Sequence, residues 1–281
     1  MAQTVITFYG RKEGITSSFL LFYLVINKQN IQKKKPGSIT GNEKPGEGRP
    51  GRCYKDNTNM ELDKTFFEKV FSNKRMEKYF SIHPNNEALA ITHYRCNVEL
   101  SKAFYPCIST LEIALRNAIV RELQTLFGRE DWYTQLSKTP GLANLNHYIT
   151  TANKQISGRR ELATPSKIIA ELTLGFWVSL FNSEYELILW QALRRAFPYM
   201  PKPQRQRKNV SAPLNRFRRF RNRVFHHEPI CWDLRQVQQI HNEILQTIGW
   251  INKDLPTWIG SFDPVEDTLA SIRGQLLAEE L

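Results

Sequence analysis

Apolar side chains recur every three or four positions over residues 86–127, a spacing typical of amphipathic helices. The first stripe consists of Leu89, His93, Cys96, Leu100 and Phe104. The second consists of Ile108, Leu111, Leu115, Ile119, Leu123 and Leu126. Pro106 is expected to break or kink the chain between the stripes, and Gly128 is expected to cap the second helix. The segment therefore predicts two long consecutive helices.

The remaining C-terminal sequence also has helical spacing. Residues 165–197 predict two helical segments that begin near Pro165 and join near Asn182 and Ser183. Further helices are predicted at about 213–226, 231–251 and 263–279, and the basic, proline-flanked residues 201–212 predict a loop. No run alternates over the length of a strand. The predicted fold class is all-α.

The first 59 residues differ in character from the rest of the chain. Eight of the sixteen residues in 36–51 are Gly or Pro, which favours an unfolded linker. From Met60 onward, Phe66, Phe67, Val70 and Phe71 recur at helical spacing. We expect translation to begin at Met60, with 1–59 as upstream sequence and 60–281 as the helical domain. A genuine disordered or membrane-associated extension is the alternative.

The chain carries a formal net charge of +12, which favours polyanionic partners such as RNA, DNA or an acidic membrane face. Residues 1–59 hold ten Lys or Arg against four Asp or Glu, so half of this surplus lies there. The predicted helical domain keeps only +6. Charge alone therefore indicates a nucleic-acid partner only weakly.

The four cysteines, at 53, 96, 107 and 231, form no CxxC pair and no Cys/His cluster with zinc-ligand spacing. We interpret them as reduced thiols and expect neither a metal nor a cofactor. No apolar run reaches the roughly 18 residues expected of a membrane span. The sequence thus predicts a cytoplasmic protein without a membrane partner.

A strongly basic stretch occupies residues 216–230, with the sequence RFRRFRNRVFHHEPI. Its helical spacing predicts a buried face of Leu214, Phe217, Phe220 and Val224. A cationic side is formed by Arg216, Arg219 and Arg223, with Arg218 and Arg221 nearby. This side is a solvated basic face, a docking strip for nucleic acid, or part of a catalytic site.

Arg221 and His226 form a pair with a definite chemistry. Five residues turn a helix about 140° beyond one circuit, so the side chains do not stack. A long arginine and a helix loosened before Pro229 would still let both groups reach one phosphate. RNA carries its own 2′-OH nucleophile, histidine can move its proton, and arginine can stabilise phosphoryl charge. His227 and Glu228 orient His226 or form a polar helix end.

Glu112 and Arg116 lie four residues apart within the second apolar segment and so share a helix face. One interpretation is an exposed ion pair that contributes a few tenths of a kcal/mol. The other is a buried or site-facing pair that positions another group. Spacing does not choose between them.

Several segments of the chain, taken together, resemble a known family. RNRVFH fits the R-N-x-x-x-H form of the motif of HEPN-fold ribonucleases. RNRVFHHEPI, LEIALRNAIVREL and ELTLGFWVSLF together resemble the Abi-like proteins of bacterial abortive-infection systems. The resemblance covers about residues 60–275 and includes MELDKTFFEKVFS, NVELSKAFYPCISTLEIALRN and QTIGWINKDLPTW.

The resemblance implies a HEPN-type helical bundle with additional helices, which dimerises across the RxxxxH motif. It implies metal-independent RNA cleavage that leaves a 2′,3′-cyclic phosphate, with Arg221 and His226 as the catalytic pair. Asn222 takes the polar position after the arginine. The family's other polar motif, which supports the site, corresponds to Glu112, Arg116 and Asn117. Such proteins act as growth-arresting toxins or phage-defence effectors, silenced by an RNA, a partner protein or an inactive conformation.

Three functions stay open. The first is an RNA endonuclease, for which a two-fold dimer would supply two histidines and two arginines to one composite site. The second is a non-catalytic RNA-binding module, and its contacts would come from Arg216, Arg218, Arg219 and Arg223. The third is a regulatory, antitoxin-like protein that dimerises with a partner. A further basic set either extends the RNA track or forms a charged loop: Lys202, Arg205, Arg207 and Lys208.

Overall fold

A computed structural model describes residues 63–278 of the chain. The predicted extension 1–59 and the predicted start at Met60 lie outside these residues. Every regular element in 63–278 is a helix, and no strand occurs among these residues. The all-α prediction is confirmed, while the narrower HEPN-type architecture stays a prediction.

The α-helices are α1 (Lys64–Phe71), α2 (Asn73–Ile82), α3 (Glu87–Ala103), α4 (Tyr105–Phe127), α5 (Asn146–Gly158), α6 (Pro165–Glu171), α7 (Leu174–Ser179), α8 (Glu186–Leu193), α9 (Arg207–Phe225), α10 (Leu234–Ile251), α11 (Leu255–Gly260) and α12 (Val265–Ala278). Short 3-10 helices occur at Trp132–Gln135, Ala143–Leu145, Ser183–Tyr185, Arg194–Ala196 and Lys202–Gln204.

The two predicted apolar stripes are helices α3 and α4, separated by Phe104 alone. Pro106 lies in the first turn of α4, where its missing N–H needs no intrahelical partner. At the other end Gly128 adopts a left-handed φ of 67°, and its N–H donates to the Gln124 carbonyl at 2.8 Å. The predicted break and the predicted cap are both confirmed.

Helix α4 is the centre of the packing. It packs most extensively on α10 and also contacts α7, α8 and α3, while α12 packs on α3. Its buried face holds Cys107, Ile108, Leu111, Leu115, Ala118, Ile119 and Leu123. Helix α9 packs on α7 and α10 through the predicted apolar face, and Phe220 meets Phe104 with ring centroids 4.6 Å apart. The basic helix is thereby fixed against the α3–α4 junction.

The predicted loop over 201–212 is wrong from Arg207 onward, because α9 begins there. Pro213 lies inside this helix and is buried, as is Val210 one turn earlier. A proline removes one helical N–H donor, and here burial of the apolar face holds the helix together across it.

The segment 165–197 contains three α-helices where two helical segments were predicted. The additional break falls at Leu172, whose backbone is extended at the end of α6. The Trp177 indole N–H donates to the Leu172 carbonyl at 3.2 Å, so a group freed by the break keeps a partner. Across 63–278, no helix is long and apolar enough to cross a membrane.

Candidate functional site

The RNRVFHHEP segment ends α9 in a well-defined turn. His226 is the C-cap residue, and His227 follows with a left-handed φ of 57°. The Glu228 N–H donates to the Arg223 carbonyl at 2.8 Å, and the His227 N–H donates to the Val224 carbonyl at 3.1 Å. This pair of bonds is a Schellman cap. The helix therefore stays regular to Phe225. Instead of loosening before Pro229, the chain reverses direction in this cap.

Helices α2 and α3 hold this turn from behind. The Arg75 guanidinium donates to the His227 carbonyl, and the buried Asn97 side chain accepts from the Ile230 N–H at 2.6 Å. Arg223 donates to the Pro229 carbonyl within the turn itself. The backbone on either side of His226 and His227 is thus fixed by side chains from three helices.

The His226 and His227 side chains are exposed on this fixed turn. Within 63–278, neither imidazole makes a hydrogen bond. Glu228 lies 3.7 Å from the Arg223 guanidinium, so it is paired with an arginine and not with His226. Both histidines are therefore open to a ligand.

Arg221 is held by a carboxylate and an aromatic ring. Its Nε donates to Glu112 Oε1 at 2.6 Å, and its guanidinium carbon lies 4.2 Å from the centroid of the Phe225 ring. Both members of the ion pair have side chains that are 29% exposed. In the part of the chain that the structure describes, the two Nη groups have no hydrogen-bond partner. They keep N–H groups available for a phosphate.

Glu112 pairs across two helices and not along its own. No ion pair joins it to Arg116 among the described residues, so the prediction of an i,i+4 pair is wrong. The closer partner is Arg221, which lies 109 positions away in the sequence. Arg116 is half-buried, and Asn117 and Asn222 are exposed on α4 and α9. Of the second polar motif, the structure thus brings Glu112 into contact with the Arg221 side chain.

Much of the predicted cationic side already has partners within the protein. Arg216 donates from Nε and Nη2 to the two oxygens of Glu243 on α10, at 2.8 and 3.1 Å. Arg218 donates to the Asn215 side chain at 3.3 Å. Arg219 is exposed and makes no hydrogen bond or ion pair with any residue of 63–278. Arg219 is therefore the member of the predicted RNA-binding set best able to contact a phosphate.

The second basic set is divided in the same way. Arg205 donates to the carbonyls of Pro198 and Met200, and Arg207 pairs with Glu186 at 2.7 Å. These two arginines hold the chain around the start of α9. Lys202 and Lys208 are exposed.

Sequence spacing did not reveal a buried polar cluster formed by Cys107, His241 and Asp263. One ligand atom from each lies within 4.8 Å of the others. His241 Nε2 lies 2.8 Å from Asp263 Oδ2, and these side chains are 2% and 5% exposed. Burial, aided by the Asp263 charge, raises the pKa of the Cys107 thiol. The three residues lie on different elements, so no short motif unites them.

A second buried group lies beneath the turn. His93 Nδ1 is hydrogen-bonded to His83 Nε2 at 3.0 Å. His93 Nε2 lies 3.4 Å from the Cys231 carbonyl oxygen. Burial lowers the pKa of His93, and the neighbouring His83 lowers it further. Trp232 packs edge-on against the same ring, with centroids 4.6 Å apart. This group belongs to the packing that supports the turn.

No protein-family model, curated protein or solved structure matches the chain. These comparisons do not identify an Abi-like or HEPN family. The resemblance therefore stays a prediction that depends on the sequence segments alone.

Proposed function

We propose that the protein is a metal-independent RNA endonuclease with Arg221 and His226 as its catalytic pair. The observation that carries the proposal is that the Arg221 side chain is held in place while the His226 side chain is exposed. Arg221 is fixed by Glu112 and Phe225 yet keeps free N–H groups, and His226, five residues later, is exposed on a braced cap. A fixed cation and an accessible imidazole at the same helix end suit phosphodiester cleavage.

In this mechanism the His226 imidazole moves a proton, and Arg221 stabilises charge on the non-bridging phosphoryl oxygens. The RNA 2′-oxygen attacks the adjacent phosphorus as it loses its proton, and the bond to the 5′-oxygen breaks as that oxygen gains one. The products are a 2′,3′-cyclic phosphate and a 5′-hydroxyl. One imidazole acts either as the base at the 2′-oxygen or as the acid at the 5′-oxygen. We therefore propose that His226 of a second copy of the chain takes the other role.

The first experiment compares purified full-length wild type with His226→Ala on total RNA in the presence of EDTA. We expect cleavage by the wild type with cyclic-phosphate ends, and at least a hundredfold loss in the variant. His147→Ala is the matched control, because His147 is also an exposed histidine but lies on α5. Equal cleavage by all three proteins, or none by the wild type, would count against the proposal.

A mixing experiment tests the proposed dimer. His226→Ala is expected to be inactive alone. If each copy supplies one imidazole to a composite site, an excess of His226→Ala lowers cleavage by the wild type, because every mixed dimer has lost one of its two histidines. Cleavage by the wild type that stays unchanged under conditions that exchange subunits would contradict the composite site.

The exposed Arg219 favours a second candidate, a non-catalytic RNA-binding module. This function predicts that Arg219→Ala weakens RNA binding and reduces its salt dependence, while His226→Ala binds normally. Arg216→Ala is the control, because Arg216 is already paired with Glu243. Retained RNA without cleavage would favour this alternative.

For the cellular role, we propose a cytoplasmic phage-defence or toxin effector that is restrained by a regulatory RNA or an antitoxin protein. The resemblance alone supports this role. Its test is growth arrest on induction of the wild type, absent with His226→Ala.

A further inference from the structure

Three potential metal ligands that are not part of the RNRVFHHEP turn meet in the interior. Cys107 lies in the first turn of α4, His241 lies within α10, and Asp263 lies just before α12. Their ligand atoms all lie within 4.8 Å of one another. They therefore bring a sulfur, a nitrogen and an oxygen ligand together from three helical elements.

The ligand set and spacing suit a zinc ion. Zinc binds cysteine sulfur at about 2.3 Å and histidine nitrogen or carboxylate oxygen at about 2.0–2.2 Å, in tetrahedral geometry. Such bond lengths place ligand atoms roughly 3–4 Å apart. The cluster meets this spacing after small shifts, chiefly a separation of His241 Nε2 from Asp263 Oδ2, which now lie 2.8 Å apart.

The surroundings of His241 are an independent observation in favour of a ligand. Its Nδ1 is buried and has no hydrogen-bond partner in the described residues, and it lies 3.4 Å from Glu266 Oε1. Glu266 is in turn held by the Gln238 amide. A carboxylate behind the second nitrogen is the usual support for a metal-bound histidine, because it fixes the tautomer and ring orientation.

Asp263 is oriented in a similar way. Its Oδ1 accepts from the Val265 N–H at 3.1 Å at the start of α12, so Oδ2 is directed at His241. The carboxylate therefore has one oxygen in a structural bond and one oxygen in the cluster.

We propose that Cys107, His241 and Asp263 form a Zn²⁺ site that ties α4, α10 and the start of α12 together, with a solvent molecule as the fourth ligand of the tetrahedron. On binding, the Cys107 S–H bond breaks, an S–Zn bond forms, and the proton passes to solvent. The proton of the neutral His241 imidazole moves from Nε2, where Asp263 Oδ2 accepts it, to Nδ1, where it faces Glu266, and Nε2 then gives its lone pair to the metal. The site is independent of the proposed ribonuclease activity.

The test is metal binding by the full-length chain, prepared metal-free with a chelator and titrated with Co²⁺ and then Zn²⁺. We expect a near-ultraviolet thiolate-to-cobalt charge-transfer band, displacement of cobalt by an equimolar amount of zinc, and a higher Tm with zinc. Cys107→Ser should abolish the band and weaken zinc binding at least tenfold. Cys231→Ser is the matched control, a buried cysteine outside the cluster, and should keep both.

Binding should also strengthen as pH rises from about 6 to 8, because the thiol must lose a proton. If Cys107→Ser does not fold, Asp263→Asn replaces it: this variant keeps the side-chain size and loses the anionic ligand, so zinc binding should again fall at least tenfold. No uptake by the wild type, or uptake unchanged by the Cys107 and Asp263 substitutions, would overturn the proposal. The cluster would then be a buried hydrogen-bonded pair beside a thiol.

Discussion

Arg221 has little freedom to move, because it is bound at Nε by Glu112 and covered on one side by the Phe225 ring. An arginine held in this way loses less conformational entropy when it binds a phosphate than a freely rotating one. Glu112 would therefore act on the proposed reaction through Arg221, as a positioning residue.

Glu112→Gln is expected to lower RNA cleavage roughly ten- to a hundredfold, because a misplaced cation stabilises the transition state less well. Cleavage rates of the folded variants measure this effect. Glu122→Gln is the matched control: Glu122 lies on the same helix and pairs with Arg195 at 2.7 Å, away from the turn. Equal losses in both variants would mean that general weakening of α4 and not the position of Arg221 is responsible.

The Glu112 contact also marks a limit of sequence reasoning at this scale. The sequence contained Glu112 and Arg116 at a spacing that suits an ion pair, and the pair did not form. Spacing describes only the neighbours within one helix. The partner of Glu112 depends on how α4 and α9 cross, which the sequence does not reveal.

At the scale of the element, the C-terminus of α9 uses a left-handed residue where most helices place glycine. His227 has a φ of 57° and is exposed, and its carbonyl is bound by Arg75. The cap therefore relies on the backbone of this histidine, and its side chain makes no hydrogen bond with the described residues.

His227→Gly is expected to stabilise the protein by about 1 kcal/mol, because glycine adopts the left-handed conformation without a steric cost. Urea unfolding of the two proteins measures the difference. His226→Gly is the control at the adjacent position, whose φ is −89°, and it should give no gain. A loss of stability in His227→Gly would mean that the imidazole makes a contact that holds the turn.

Helix boundaries were harder to predict than helices. Apolar periodicity predicts the buried face of α9, but the prolines and charges around its first turns predict a loop. The start at Arg207 is set by tertiary contacts, among them the bond from its guanidinium to the Phe181 carbonyl at 2.9 Å. Such contacts leave no periodic pattern in the sequence.

For the whole molecule, one consequence of burial is a dependence of stability on pH. His93 is buried beneath the turn, and its pKa is lowered by that burial. Below about pH 6.5 the unfolded chain binds a proton at this residue, while the folded chain resists it until a lower pH. The contribution of His93 is thus fully present above pH 6.5 and is lost as the pH falls.

The free energy of unfolding should therefore fall between about pH 7.5 and 5.5, and it should fall less in His93→Asn, which cannot take up the proton. Urea unfolding at the two pH values tests this. The same replacement at the exposed His147 controls for the chemical change. A decline in His93→Asn as steep as in the wild type would assign the pH dependence to other groups.

The all-α class and the buried faces of α3, α4 and α9 follow from apolar periodicity. The cluster of Cys107, His241 and Asp263 could not be predicted, because its members are 134 and 22 residues apart and meet only once α4, α10 and α12 have packed. The turn after Phe225 could be predicted in part. Its proline was a visible signal, but the supports from Arg75 and Asn97 were not.

Cys231, directly after the turn, is 2% exposed, and burial raises its pKa to about 12. An alkylating reagent can therefore reach this thiol as a reactive thiolate only when residues 226–231 detach from α3. The rate at which Cys231 is alkylated therefore measures how often residues 226–231 detach from α3. Comparing that rate with and without bound RNA would reveal whether the candidate site is a rigid platform or one that the substrate itself closes.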